Sequence, residues 1–420
     1  MAKPLNDTGA EMAKPQDGTA AEMAKPQDGT AAEMAKPQDA KRQKGKQNGR
    51  KLLLKVAVET SRMLLAATFL FSGFVKANDP LGTMYKLEDY VAAMLPVTLP
   101  DTFLLACGIL LATLEFMLGI YLLFAIKRGN TAKVTVLFMS IMTLLTVYIF
   151  IADPVPDCGC FGDAIVLSNG ATLLKNVVLM AASVVVARHY RLQGQIARAS
   201  VKWFMSLCAM CAIIAYAVYC TICLPVIDFR PYKVGTDLMK AVNTAEQDYE
   251  VRIVYKRGDE TLELTAEDDD PDSTWTYVET RSTPVGEKHE SVDLSIYDSN
   301  DDNVTEDILG NDSITFLLII PNLLGADEGC VNKVNDLYDY AVKKGYAFYC
   351  LTASASQKDQ AYWNDHTGAE YGYYICDDRV LKTVVRGQPG LVLLRNGVIA
   401  RKWGNYNLPD EEDLQTQAGL

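Results

Sequence analysis

The chain has 420 residues, enough for two or three domains, with 49% hydrophobic residues and a formal net charge of −12. The charge is uneven: residues 228–420 hold 36 acidic and 18 basic side chains, which argues against nucleic acid as a partner of that half. Ten cysteines in so long a chain are no disulfide scaffold, so their positions carry more than their number.

Residues 1–40 repeat an eleven-residue unit, clearest in Glu22-Met-Ala-Lys-Pro-Gln-Asp-Gly-Thr-Ala-Ala32. The unit lacks aromatic and branched aliphatic residues other than Thr, so it cannot bury a core. An eleven-residue period can also mark a right-handed coiled coil, but the proline in each copy opposes that. A disordered tail is expected, and no apolar stretch follows Met1 to make it a secretory signal.

Residues 41–55 carry seven basic side chains and no acidic one, and Val56–Val75 after them is apolar and about one bilayer long. Four further runs follow: Thr102–Ile126, Val134–Ala152, Ala171–Ala187 and Trp203–Val226. Five membrane helices are therefore predicted. Basic residues sort to one side. They are the 41–55 flank, then Lys127, Arg128 and Lys133, then Arg188, Arg191, Arg198 and Lys202. The positive-inside bias makes those segments cytoplasmic. An odd number of spans then sends residues 227–420 to the outer side of the membrane. Tyr85–Leu95 is too short to span and is predicted to rest at the outer interface. Glu59 and Arg62 stand one helical turn apart and can pair. Glu115 lies deep in the second span, where an ionisable group is costly; it is a functional candidate or a protonated interhelical hydrogen-bonder.

The loop after the third span reads Asp157-Cys158-Gly159-Cys160-Phe161-Gly162-Asp163. A disulfide closed over one residue is strained, and strained disulfides exchange readily. Redox chemistry, half of a metal site and two inert thiols all stay open. The metal reading is the weakest, because His189, His289 and His366 are all remote in sequence. Cys220 and Cys223, in Cys-Thr-Ile-Cys, fall near the outer end of the last span, as does Cys107 in the second. Cys208 and Cys211 lie about three turns deeper than Cys220 and Cys223. A Cys-x-x-Cys pair suits exchange, although the C-terminal end of a helix disfavours a thiolate.

Residues 227–310 alternate apolar and polar side chains, which predicts a β-rich segment with an acidic loop at Glu267–Asp270. Residues 311–408 read β-α-β-α-β-β, with Gln388-Pro389-Gly390 ahead of a hairpin around Asn396-Gly397. That order resembles the thioredoxin fold, which implies a cis bond at Pro389. Where a thioredoxin carries two cysteines, this chain has Asp327-Glu328-Gly329-Cys330, so dithiol activity in that domain is not expected. Residues 409–420 are a polar tail.

Residues 56–190 resemble the DoxX family and its methylamine-utilisation (MauE) relatives, on Phe71-Ser-Gly-Phe-Val-Lys76, Asp79-Pro-Leu-Gly82, Glu115 with Leu118-Gly119, and Cys158-Gly-Cys-Phe-Gly162. Fusions of this kind to a thioredoxin-like domain occur in Bacteroidota. The resemblance implies a four-helix membrane domain, with the span at 203–226 delivering the soluble half. It also implies a link to disulfide formation in exported proteins or to quinone-coupled electron transfer.

The leading expectation is a thiol–disulfide component. Cys158 and Cys160 exchange with exported thiol proteins, electrons pass through Cys220 and Cys223 to a quinone, and Lys76 and Glu115 stand beside that quinone. The alternative is a non-catalytic, lipid-anchored assembly factor whose degenerate thioredoxin-like domain holds a partner. A transporter is disfavoured by the lack of an internal repeat among the spans.

Overall fold

The computed structural model describes residues 37–94, 97, 99–155, 158–194, 199–245, 249–257, 260–265, 275–284 and 294–419. The repeats up to residue 36, Asp157 and the acidic run Glu267–Asp270 lie outside the described residues. Residues 1–53 and 54–420 form separate units, and the account below concerns the second.

The membrane half holds helices α1 (Pro37–Asn78), α2 (Pro80–Met94), α3 (Asp101–Leu123), α4 (Arg128–Ala152), α5 (Asn169–Arg188) and α6 (Ala199–Cys223). Four of these, α3 to α6, contain stretches long and apolar enough to cross a membrane. The fifth segment expected from the sequence, Val56–Val75, lies inside α1 and is not among them. Its hydropathy is diluted by Glu59, Thr60, Ser61, Arg62 and Ser72.

These helices are apolar outside and partly polar inside. Leu110, Leu137, Leu144, Ile151 and Leu174 are exposed, whereas Thr113, Thr135, Thr146, Asn176 and Ser183 are buried. Lipid tails are as apolar as leucine, so nothing drives those leucines inward. The buried hydroxyls find backbone acceptors: Thr113 donates to the Ile109 carbonyl at 2.7 Å and Thr135 to that of Thr131 at 2.9 Å. Leu65, Ala66 and Phe69 of α1 share one apolar cluster with Leu118 and Leu122 of α3, Met139 of α4, and Leu179 and Val186 of α5.

The two ends of this bundle have different chemistry. At one end Arg62 bonds Glu59 at 2.9 Å and also donates to the Leu122 and Leu123 carbonyls at 3.0 and 3.1 Å. A buried guanidinium thus adds donors at the carbonyl end of α3, where the Leu122 carbonyl also accepts from Ala125 N at 3.3 Å. Glu59 accepts from the Gly194 N–H at 2.6 Å, and Arg128 donates to the Gln193 carbonyl at 2.6 Å. At the other end Asn78 donates to the Ile227 carbonyl at 2.7 Å and accepts from Ile227 N at 3.1 Å and the Tyr216 hydroxyl at 2.9 Å. This ties the last residue of α1 to α6 and to the chain leaving the membrane.

The soluble half begins with α7 (Leu238–Ala245), followed by strands β1 (Tyr249–Arg257), β2 (Glu260–Thr265) and β3 (Thr276–Pro284), an antiparallel sheet in the order β2-β1-β3. After α8 (Thr305–Leu309) come β4 (Ile314–Ile319), α9 (Val331–Lys344), β5 (Ala347–Thr352), α10 (Gln357–Thr367), β6 (Tyr373–Ile375), α11 (Asp378–Val384), β7 (Gly390–Arg395) and β8 (Val398–Trp403). The second sheet runs β6-β5-β4-β7-β8, parallel on one side of β4 and antiparallel on the other. Successive residues of β4 point to opposite faces. Phe316 and Leu318 meet Val334 and Leu337 of α9 and Trp363 of α10, while Leu317 and Ile319 meet Leu381 and Val384 of α11. Asn396 and Gly397 both take positive φ, as the β7–β8 hairpin turn requires. The Gln388–Pro389 bond is cis, as the thioredoxin-like order implied.

Three of these helices, α7, α8 and α11, were not anticipated. All are shorter than the periodicity signal needs. The start of α11 is nonetheless marked, since the Asp377 carboxylate accepts from Arg379 N and Val380 N at 2.9 and 3.1 Å.

Small residues let α1 and α3 approach closely. A Cβ on Gly73 would come within 2.4 Å of the Phe116 backbone N, and one on Gly119 within 2.7 Å of Leu70. Since backbone on that side cannot move like a flexible side chain, Gly73→Ala is expected to cost about 1–3 kcal/mol through overpacking. Unfolding in detergent checks this, and unchanged stability would mean the two helices are not in contact there.

Candidate functional site

The site lies at the bundle end that faces the soluble half. α4 stops at Asp153 with positive φ, and Ser168 caps α5, its hydroxyl accepting from Ala171 N at 3.4 Å. Between them the chain turns through Gly159 and Gly162, at φ +62° and +51°, values that side chains with a Cβ rarely adopt. The Cys158 and Cys160 sulfurs stand 2.8 Å apart, Cys158 buried and Cys160 half-buried.

Backbone carbonyls hold this loop. The Tyr90 hydroxyl of α2 donates to the Cys158 carbonyl at 2.7 Å. The Cys160 carbonyl accepts from the Ser72 hydroxyl at 2.6 Å and from the Lys76 ammonium at 2.8 Å. Lys76 also donates to Ser72 Oγ at 2.8 Å and to Glu115 Oε2 at 2.9 Å. Its three N–H groups are thus all used. Lys76 and Glu115 are a buried ion pair, and removing one partner of such a pair typically costs about 3–5 kcal/mol. The structure places Glu115 as the partner of Lys76 across the α1–α3 contact. Lys76 has no N–H left for a quinone oxygen, so it fits an anchor of the loop rather than a quinone ligand.

The two thiols differ in acidity. Cys160 is brought down to about 6, first by the hydrogen bond from Cys158; burial opposes this, and the cations Lys175 and Lys76 add to the lowering. Cys158 is pushed up, first by that same bond and then by burial. The geometry describes a thiolate accepting from a neighbouring thiol. Lys175 of α5 sits 4.1 Å over the Phe161 ring, and Phe161 meets Phe71 edge-on at 5.4 Å.

A cavity of about 520 Å³ opens beside the pair, with Cys158, Cys160, Lys76, Tyr85 and Tyr90 in its wall. The soluble half closes it through Arg386, which is buried and forms ion pairs with Asp79 at 2.9 Å and Asp163 at 3.1 Å. Burial raises both carboxyls; at Asp79 the guanidinium outweighs it and the net shift is downward, whereas Asp163 stays raised.

Among the described residues the structure brings Cys158, Cys160, Lys76 and Glu115 together. Cys220, buried, and Cys223, half-buried, end α6 at the same end of the bundle but do not line the cavity. Cys208 and Cys211 are exposed along α6. In the soluble domain Cys330 is buried, and burial with Asp327 raises it to about 11, so it is a poor nucleophile at neutral pH. Among the described residues no group of three or more His, Cys, Asp or Glu could hold a metal ion.

Sequence reasoning missed Arg386 and Lys175. Ser72, Asp79 and Asp163 lay within quoted motifs without a role. Nothing local marks Arg386, since its partners are 307 and 223 residues away in the chain.

In comparison with known families, residues 54–188 match the family model described as "Methylamine utilisation protein MauE". That stretch holds α2 to α5, the loop and the part of α1 that bears Lys76. No curated protein matches the chain. Among solved structures, "Solution structure of a putative protein disulfide isomerase from Bacteroides thetaiotaomicron" is 16% identical, with 30% of this chain and 80% of that chain covered. Its TM-score is 0.24, too low to bear on the comparison.

The acidity difference predicts a pH profile. Alkylation of Cys160 by iodoacetamide should rise with pH through about 6 and level off above it, because the thiolate is the reactive form. Lys175→Ala, which removes a stabilising cation, should move the midpoint up by about one unit or less. A wild-type midpoint above 8 would show that the pair is not held as described.

Proposed function

We propose that this chain is a membrane-embedded thiol–disulfide exchange protein whose working pair is Cys158 and Cys160. The observation that carries this reading is the pair itself. Two sulfurs lie at 2.8 Å, one thiol acidified and the other not, on a loop whose carbonyls are held by buried side chains. Inert packing thiols have no need of such an anchor.

In the oxidising direction a client thiolate attacks the Cys158 sulfur of the Cys158–Cys160 disulfide. Cys160 leaves as the thiolate, since the more acidic thiol is the better leaving group. The client's second thiolate then attacks the client sulfur of this mixed disulfide and expels Cys158, which takes up a proton. The client loses two electrons and gains a disulfide; the pair gains the two electrons. The reverse sequence reduces a client disulfide, and the redox potentials decide the direction. The exchange requires only Cys158 and Cys160. A membrane quinone would have to be met by groups other than Lys76.

Exported proteins as clients follow from the proposed orientation. In this reading α1 is the fifth span: Glu59 to Asn78 covers about 28 Å of helix, close to one hydrocarbon thickness. Its membership of the shared apolar cluster supports this. Lys127, Arg128, Lys133, Arg188, Arg191 and Lys202 belong to the Arg62 end, so that end faces the cytoplasm. The cysteine loop and the C-terminal domain then face the periplasm across an inner membrane. The thioredoxin-like domain enters as a binding module, because Asp327 replaces one thiol and Cys330 is not acidic.

Alkylation mapping of native membranes tests the reading. Cys158→Ser and Cys160→Ser should each leave a larger reduced fraction among envelope thiols. Identical redox states in the wild type and both variants would remove the proposal.

A further inference from the structure

We infer that Arg386, supplied by the C-terminal domain, is a positioning residue for the Cys158–Cys160 pair, clamping the redox loop against the junction of α1 and α2. The inference rests on the exchange reading above and gives the fused domain its part in it.

One guanidinium joins three segments. Its Nε donates to both Asp79 oxygens at 3.1 and 3.0 Å, its Nη2 to Asp163 Oδ2 at 3.1 Å, and its Nη1 to the Lys382 carbonyl. Asp79 stands three residues after Lys76, and Asp163 three residues after Cys160. The loop is therefore pinned twice: at the Cys160 carbonyl by Lys76 from within the bundle, and at Asp163 by Arg386 from the soluble domain. Without Arg386 the partly exposed Asp79 and Asp163 carboxylates would lose the cation that bridges them, with Arg230 the remaining charge acting on both, and their repulsion would favour separation of the segments or uptake of a proton.

The surroundings are shaped for this clamp. Gly82 leaves room for it: a Cβ there would stand 2.3 Å from Asp79 Oδ2 and 2.7 Å from Arg386 Nη2. The Gly82 N–H donates to Asp79 Oδ1 at 2.9 Å. The Tyr85 ring faces both cations, with Arg386 Cζ at 5.5 Å and Lys382 Nζ at 4.9 Å from its centre. The short helix α11, which precedes Arg386, is held by Arg230, whose Nη1 donates to the Thr383 carbonyl at 3.0 Å. A tether between two domains would need no such route to the redox loop.

The test measures the Cys160 alkylation midpoint on the full chain in detergent, with limited proteolysis as the check on folding. Arg386→Gln should move the midpoint up by about one pH unit or more, because a loosened loop loses the Cys158 hydrogen bond and the nearby cations. Gly82→Ala, which displaces the ion pair while keeping Arg386, should do the same. If Arg386→Gln fails to fold, the neutral set Arg386→Gln with Asp79→Asn and Asp163→Asn serves. Loss of two anions alone would lower the midpoint, so a rise in that variant reports the loop. Folded variants with the wild-type midpoint would overturn the clamp. Client-dithiol oxidation by the wild type, measured alongside, separates the two ideas. Exchange with an unmoved midpoint sinks the clamp alone, and a moved midpoint without exchange sinks the redox reading alone.

Discussion

A lysine ammonium inside a helix bundle costs several kcal/mol unless each of its N–H groups finds an acceptor. Lys76 meets that condition with Ser72, Glu115 and the Cys160 carbonyl. The last acceptor gives the arrangement its consequence. A residue of α1 satisfies its charge only if the loop between α4 and α5 lies in one position, so the cost of burying the charge enforces the place of the thiols. Glu115 of α3 pairs with Lys76 at 2.9 Å, and Ser72 bonds both the ammonium and the Cys160 carbonyl. Two helices and one loop are in this way committed to a single geometry.

The soluble half has a five-stranded mixed sheet with helices on both faces and few reactive groups of its own. Its one thiol near the expected position, Cys330, is buried and less acidic than a free cysteine. What it brings to the membrane half is a cation on the loop before the cis bond at Pro389. A domain without a reactive pair of its own can still act as a rigid support, since a buried guanidinium is only as well placed as the elements carrying it. Here those elements are α11, packed on the sheet through Leu381 and Val384, and the strand β7 that follows.

Much of the fold was legible because burial follows period. The unbroken apolar run at Ile314–Ile319 reads as a strand covered on both faces, and it is. The three strands between Tyr249 and Pro284 fell where alternation placed them. Short helices escaped, because two turns hold too few residues for a period to emerge. The segment predicted as the first span was harder to judge for a chemical reason: α1 carries the charges and small residues that the site and the α3 contact require, and these lower its hydropathy.

The sequence by itself determined that this is a multi-span membrane protein with a mixed α/β domain behind it. It also singled out Cys158, Cys160, Lys76 and Glu115. Side-chain type and spacing suffice for that, since lipid and a buried strand each select composition locally. Only the tertiary structure decided that the two thiols differ in acidity, that Lys76 serves the loop, and that Arg386 closes on it from the far end of the chain. Those facts depend on distances between groups remote in sequence. Electrostatic energy in a buried site changes steeply over a few ångströms, which no reading of neighbours along the chain can supply.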